Sequence, residues 1–426
     1  MTTPSLSRRT FLQTAAATLT AGVGRAADEK PRIGLVGCGG MGMGDAKNAS
    51  RFGTVVAVCD VDASHAAKAA GQFKGAKTYE DFRKLIERKD VDVVLNATPD
   101  HWHTLVNLAA LRAGKDVYSE KPLTLTIDEG KRLVKAVKDT GRVLQTGSQQ
   151  RSDRRFRQAV QVVRAGRLGM LTQVTTILPA GPVGGPFLTQ PVPEGLNWDA
   201  WQGPAPTHDY MRERCHLWFR YWLDYSGGTM TDWGAHHNDI ALWAIGHKGP
   251  STIEAKVLKE PIPGGYTAPG EYEVGYGYYA SPVRHVCKST TVNNIFGARG
   301  RDPKPGELGH GVKFEGKDGW LYVTRGKIEA SRPDILKDPV TEKEGQVSVS
   351  DDHMGNFFEC VKTRKQPICD AEVGHRSASL CHLGVIALRL GRKLTWDPAK
   401  EEFISDKEAN GYLAREQRKP WTYDAV

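Results

Sequence analysis

Three side chains in this sequence offer an amine, a carboxylate and an imidazole in settings suited to acid–base chemistry. Lys121 stands in Glu120-Lys121-Pro122, directly after an apolar run. A lysine held there, with its pKa lowered by burial or by cationic neighbours, can donate a hydrogen bond to a substrate oxygen. Asp232 and His236 stand four residues apart in Gly227-Gly228-Thr229-Met230-Thr231-Asp232-Trp233-Gly234-Ala235-His236-His237-Asn238-Asp239. Residues i and i+4 of a helix share a face, with Cβ atoms roughly 6 Å apart. Both groups can therefore meet one substrate hydroxyl, or the acid can orient and charge-stabilise the base. His237 is rotated away by about 100°, so His236 is the candidate base. Lys121 and His236 both stand as possible proton acceptors. No metal is expected, although His101-x-His103, or His236 with His237 and Asp239, offers ligand types for metal-dependent hydrolysis.

These groups need a scaffold and a partner reagent, and the first half of the chain supplies signals for both. From Pro31 onward, short apolar runs alternate with helical stretches: Arg32–Val36, Val55–Cys59, Val91–Asn96, Asp116–Ser119 and Arg142–Thr146, with helices near Ala63–Phe73, Asp81–Arg88, Thr104–Ala113 and Ile127–Thr140. That alternation predicts an α/β Rossmann domain with a doubly wound parallel sheet over 31–150. Gly37-x-Gly39-x-x-Gly42 follows the first strand and opens a helix. In that context the glycines allow a tight turn, close approach to a pyrophosphate and close helix–strand packing, and the helix N-terminus faces the phosphates. Asp60 ends the second strand and suits the acid that accepts hydrogen bonds from the adenine-side ribose, with Asp62 as an alternative. A carboxylate there repels a 2′-phosphate, so NAD is expected in preference to NADP.

Bulk properties exclude other classes. The 426 residues carry a formal charge of +9, but Lys and Arg are dispersed rather than gathered in a tract, so no nucleic-acid partner is expected. None of the seven cysteines forms C-x-x-C, which argues against a zinc ribbon or redox dithiol. The N-terminus holds Ser7-Arg8-Arg9-Thr10-Phe11-Leu12-Gln13, then a mildly apolar stretch to Val23 and small residues to Ala27. That order predicts a twin-arginine signal over 1–27 and a periplasmic or exported protein. The apolar stretch is too short to span a bilayer stably, so no membrane span is expected after signal removal.

Taken together, the glycine loop, Asp60, Thr98-Pro99-x-x-x-His103, Glu120-Lys121-Pro122, Gly147 to Arg151 and Asp232-x-x-x-His236 resemble the glucose–fructose oxidoreductase / inositol dehydrogenase / MocA family. The resemblance implies a cis proline at Glu-Lys-Pro and a lysine beside the nicotinamide. It also implies cofactor contacts from Gly37, Gly39, Gly40, Met41, Gly42, Asp60, Thr98, Pro99, His103, Glu120, Lys121 and Gln149. It implies an α+β second domain, read here as 151–400, with a large open, mainly antiparallel sheet that often mediates homo-oligomers. Strand signals at Leu171–Leu178, Thr252–Leu258, Glu271–Tyr279, Arg284–Val292, Val312–Phe314 and Trp320–Thr324 fit it, as do helical signals at Asp153–Ala165, Met230–Ile245 and His353–Lys362. Pro/Gly-rich loops are read at Ala180–Gly195 and Gly297–Gly311, and 401–426 as a tail. Trp198, Trp201, Trp218 and Trp222 suit a carbohydrate pocket, although for any single one of them a core position is the better reading. The expected activity is NAD(P)-dependent hydride transfer from a sugar, polyol or glycoside hydroxyl, with a retained cofactor because free NAD is scarce outside the cytoplasm. The alternatives are redox-neutral glycoside cleavage through a transient ketone, or a non-catalytic sugar-binding protein.

Overall fold

A computed structural model of the chain describes residues 30–292, 303–304, 306–337 and 347–426. The expected signal peptide and part of the Gly297–Gly311 loop lie outside the described residues. The first domain runs β1 (Arg32–Val36), α1 (Gly40–Ala49), β2 (Thr54–Cys59), α2 (Ala63–Gln72), β3 (Lys77–Tyr79), α3 (Phe82–Ile86), β4 (Val93–Asn96), α4 (Asp100–Arg112), β5 (Asp116–Ser119), α5 (Ile127–Thr140) and β6 (Leu144–Thr146). The strands pair in parallel in the order β3-β2-β1-β4-β5-β6. β4 and β5 are buried throughout, as strands covered on both faces must be. The strand order reverses between β1 and β4, which opens a crevice at their C-terminal ends.

Local signals set most boundaries. Thr126 caps α5 by accepting the Glu129 N–H, Asp128 and Glu129 sit at the positive end of the helix, and Gly141 ends it in the left-handed conformation (φ 63°). Helix α4 begins at Asp100, four residues before the sequence reading placed it. Asp100 and His101 read as loop residues because they are polar, but both are buried against the second domain. Their partners are the Ser226 hydroxyl and the Trp201 carbonyl.

The second domain continues α6 (Arg154–Arg164), β7 (Leu171–Pro179), α7 (Trp198–Gln202), α8 (Thr229–Asp232), α9 (Gly234–Ile245), β8 (Thr252–Lys259), β9 (Glu271–Gly277), β10 (Arg284–Thr290), β11 (Gly311–Gly316), β12 (Gly319–Thr324), β13 (Lys327–Ala330), α10 (Pro333–Leu336), α11 (His353–Thr363), α12 (Ala371–Leu390), β14 (Leu394–Asp397), β15 (Glu402–Phe403) and α13 (Lys407–Gly411). Its nine-stranded sheet has the order β13-β12-β11-β7-β10-β9-β8-β14-β15. Only β7 and β10 pair in parallel. Along β9, Tyr272, Val274 and Tyr276 are buried while Glu273 is exposed. One face therefore packs on helices and the other stands open, as the alternation requires.

Helix α12 ties the halves together. Its face toward the first domain approaches so closely that a Cβ at Gly374 would fall 2.2 Å from the Thr146 hydroxyl oxygen. His382 Nε2 lies 2.9 Å from the Thr124 carbonyl. The tail packs on the first domain rather than trailing from it. Tyr423 donates to the Glu129 carboxylate at 2.7 Å, and Arg415 donates to the His101 carbonyl at 3.0 Å.

A second tie is ionic. Arg151, just after β6, donates two hydrogen bonds to Asp239 of α9 at 2.7 and 2.8 Å and lies over the Trp243 ring at 4.7 Å. Both partners are buried. Removing one partner of such a pair leaves an uncompensated buried charge. Arg151→Met is expected to lower the unfolding free energy in urea by about 3–5 kcal/mol. The double variant with Asp239→Leu is expected to recover part of that loss.

Candidate active site

One cavity of about 980 Å³ runs along the crevice between the domains. That is the upper end of the size usual for small-molecule sites. The glycine loop forms one wall. A Cβ at Gly37 (φ +87°) would meet the Ala97 carbonyl at 2.6 Å, and one at Gly42 would lie 1.9 Å from the Gly37 oxygen. At Gly39 and Gly40 a Cβ would meet nothing within 4 Å. The first and third glycines are thus required by packing, while the middle two are bare toward the cavity. Gly42 itself lies beneath the loop and does not line the cavity, so its part in binding is to permit the turn. No side chain caps α1, and Gly39, Gly40 and Met41 line the cavity. That leaves first-turn N–H groups and the positive helix end for an anionic ligand.

Asp60 rather than Asp62 lines the cavity. Its carboxylate accepts the Cys38 N–H at 2.7 Å and the Asp62 N–H at 2.9 Å, bracing the loop it serves. Asp62 caps α2 and faces His216 at 3.3 Å. A segment of the second domain crosses here. Leu196 bridges to Asp62, Asn197 N–H donates to the Val61 carbonyl at 3.0 Å, and Ala63 N–H donates to the Gly195 carbonyl at 2.9 Å. Trp421 of the tail closes a further part of the wall, edge-on to Trp102 at 5.0 Å. A bare glycine loop, an uncapped helix start and a carboxylate at the end of β2 fit the pyrophosphate and ribose of a dinucleotide.

Thr98, Pro99, Glu120, Lys121 and Gln149 line the same cavity. His103 lines it too, but both its ring nitrogens are engaged by carbonyls, Pro122 at 2.7 Å and Thr98 at 2.8 Å. It stitches the two loops together, and this explains a histidine that could otherwise pass for a metal ligand. The Lys121-Pro122 peptide is cis.

Lys121, Asp232 and His236 meet at the far end. Lys121 Nζ lies 2.5 Å from Asp232 Oδ1, with both side chains about one-tenth exposed. Arg220 Nε approaches the same oxygen at 3.5 Å. Burial opposes ionisation of Asp232, but Lys121 and Arg220 together hold its pKa below the usual carboxylate value. The acid therefore pairs with the amine, and the alternative in which it orients His236 does not match these contacts. Asp232 and His236 also do not share one helix: α8 ends at Asp232, Trp233 forms the joint, and α9 begins at Gly234. Both nonetheless face the cavity.

Burial, with Lys121 and Arg325 nearby, pushes His236 well below the ordinary histidine pKa. The imidazole is neutral, and its Nδ1 is buried without a hydrogen-bond partner among the described residues. His237 turns away to stack on His310, with Nε2 to Nδ1 at 3.1 Å. Asp239 is held by Arg151. The three groups considered for metal-dependent hydrolysis therefore point to separate places.

Of the four tryptophans picked from sequence, only Trp201 lines the cavity. Trp198 stacks on it at 4.9 Å, and Trp222 is buried in the same aromatic cluster. The aromatic residue beside Lys121, Asp232 and His236 is Trp233, which the sequence reading passed over although it sits between Asp232 and His236. Arg220 and Arg325 were also missed, and no local motif marks either.

The chain matches two descriptions of one family. Residues 31–148 match the GFO_IDH_MocA oxidoreductase family, NAD-binding Rossmann fold, and 184–262 with 311–423 match its C-terminal alpha/beta domain. The chain belongs to this family. It is 38% identical over 141 residues to inositol 2-dehydrogenase 2 of Saccharopolyspora erythraea, covering 32% of this chain and 42% of that protein. It is 30% identical over 155 residues to myo-inositol 2-dehydrogenase of Thermotoga maritima, covering 35% and 46%. The match thus spans less than half the length of these relatives. The fold is similar to the WlbA dehydrogenase of Bordetella pertussis in complex with NADH and UDP-GlcNAcA (TM-score 0.63, 19% identity, 87% of this chain and 99% of that one). It is also similar to levoglucosan dehydrogenase in complex with NADH and levoglucosan (0.60, 18%, 86% and 99%).

Burial raises Glu120, beside Lys121, from 4.5 to about 7. The folded state therefore binds a proton that the unfolded state releases, and stability from this group falls as pH rises from about 4.5 to 7. Glu120→Gln removes that slope. Urea unfolding at acid and at mildly alkaline pH is expected to show the variant gaining on the parent as pH rises.

Proposed function

We propose that this protein is an NAD-dependent oxidoreductase that acts on a hydroxyl of a sugar or polyol and works with a retained cofactor after twin-arginine export. The observation that carries this reading is the meeting of Lys121, Asp232 and a neutral His236 at one end of a cavity whose other end is the bare glycine loop with Asp60. NAD, when bound, supplies the hydride acceptor. The chain's own groups handle the oxygen. His236 is neutral and lines the cavity, which suits it to take the hydroxyl proton. Lys121, held by Asp232, offers N–H donors to the same oxygen as negative charge develops there.

Asp60, with Glu80 and Asp81 also on the wall, favours free ribose hydroxyls over a 2′-phosphate. The inositol dehydrogenase relatives and the levoglucosan dehydrogenase structure support a polyol or sugar as substrate. The crossing segment at 195–197 and Trp421 support retention, because release of a dinucleotide requires those contacts to part. The open face of the nine-stranded sheet is the surface on which homo-oligomer formation is expected.

Lys121→Ala and His236→Ala should each slow single-turnover cofactor reduction by about a hundredfold or more. Unchanged rates in both variants refute the assignment. Protein purified from its exported location and then denatured should release close to one nicotinamide dinucleotide per chain. Purification free of nicotinamide, with turnover only at millimolar added NAD, overturns retention.

A further inference from the structure

At the catalytic end of the cavity one cation stands without an ion-pair partner among the described residues. Three cations line it: Lys121, Arg220 and Arg325. Asp232 faces the first two, and Asp100, turned to the Ser226 hydroxyl, adds a second carboxylate on the Arg220 side. Burial pushes Glu120 toward its protonated form, and burial with Lys121 and Arg325 nearby keeps His236 neutral. Arg325 feels Asp232, Asp153 and Glu120 only at a distance. It makes no ion pair among the described residues.

Arg325 is also held in place. It sits at the turn between β12 and β13, exposed into the cavity mouth. Its guanidinium lies over the Trp233 ring at 4.6 Å, and that ring is 5.9 Å from His236. With the Gln150 amide turned to satisfy both its ends, Gln150 accepts from Arg325 Nε at 3.2 Å and donates to the His236 carbonyl at 3.1 Å. The Nε edge and one face are therefore occupied, and the two terminal nitrogens are left as a fork. A guanidinium fixed in this way matches a carboxylate with two parallel hydrogen bonds.

From this arrangement, and resting on the oxidoreductase reading above, we infer that the substrate is an acidic sugar, with Arg325 gripping its carboxylate while the hydroxyl to be oxidised lies at His236 and Lys121. Neutral sugars would leave Arg325 without a counter-charge in a partly desolvated mouth. Arg325 is then a specificity-determining residue, and acid–neutral discrimination is set by it rather than by the catalytic groups.

The test pairs sugars that differ only in CH2OH against COO−: glucose with glucuronate, galactose with galacturonate, mannose with mannuronate. Binding to the NAD-loaded protein is read by calorimetry and turnover by cofactor absorbance. For at least one pair the acid should bind about ten- to a hundredfold tighter. Arg325→Met should abolish that ratio, and Arg325→Lys should restore part of it. Arg325 is an exposed turn residue, so the variants should keep the parent's thermal unfolding. Equal or better binding of the neutral member in every pair, no binding of any acid, or a ratio that survives Arg325→Met overturns the inference. Cofactor reduction by neutral sugars with no acid preference sinks this inference alone and leaves the oxidoreductase reading standing.

Discussion

The contact between Lys121 and Asp232 joins the two halves of this molecule at the point where its chemistry would occur. Lys121 follows β5 of the first domain, and Asp232 ends α8 of the second. A buried amine without a partner would lose its proton, and a buried carboxylate without a partner would keep one. Lys121, with Arg220, holds Asp232 below the usual carboxylate range despite its burial, so the closing of the domains also sets the charge state of that acid. Helix α12 against α5, Arg151 with Asp239, and the tail on α4 hold that closure from three other directions.

With that pair charged, the neighbours take their states in turn. His236 sits beside an ammonium and a guanidinium in a dry place, so it stays neutral. Glu120, buried beside the same lysine, is left poised near neutrality. At the opposite end the glycine loop makes its contribution through backbone alone, because side chains at Gly37 and Gly42 would collide with it and those at Gly39 and Gly40 would stand where a ligand approaches. The cavity therefore has an anion-seeking end built of N–H groups and a proton-handling end built of side chains.

Much of this was legible from residue order. The weight given to Glu120-Lys121-Pro122 and to Asp232 with His236 came from the family resemblance, while the parallel sheet, the glycine loop and Asp60 follow from periodicity and short spacing. So do the bounds of α5, where cap and glycine stop agree. Short strands such as β3, β13 and β14 were not found. Each has four residues or fewer, and their pairing with a neighbouring strand, rather than their own pattern, makes them strands. The aromatic positions were not sorted one from another for a related reason. Trp198 and Trp222 are indistinguishable from cavity residues until the cluster around them is assembled.

The sequence by itself determined which backbone can approach a phosphate, which strand ends in an acid, and which ionisable groups recur at helical spacing, because these depend on neighbours a few residues away. Only the tertiary structure decided that Asp232 serves Lys121 and not His236, that His103 is a stitch, and that Arg220 and Arg325 belong to the site. Those assignments rest on contacts made only on folding, such as that of Lys121 with Asp232, 111 residues apart in the chain, and charge and burial in such a place are properties of the packed surroundings and not of any local run.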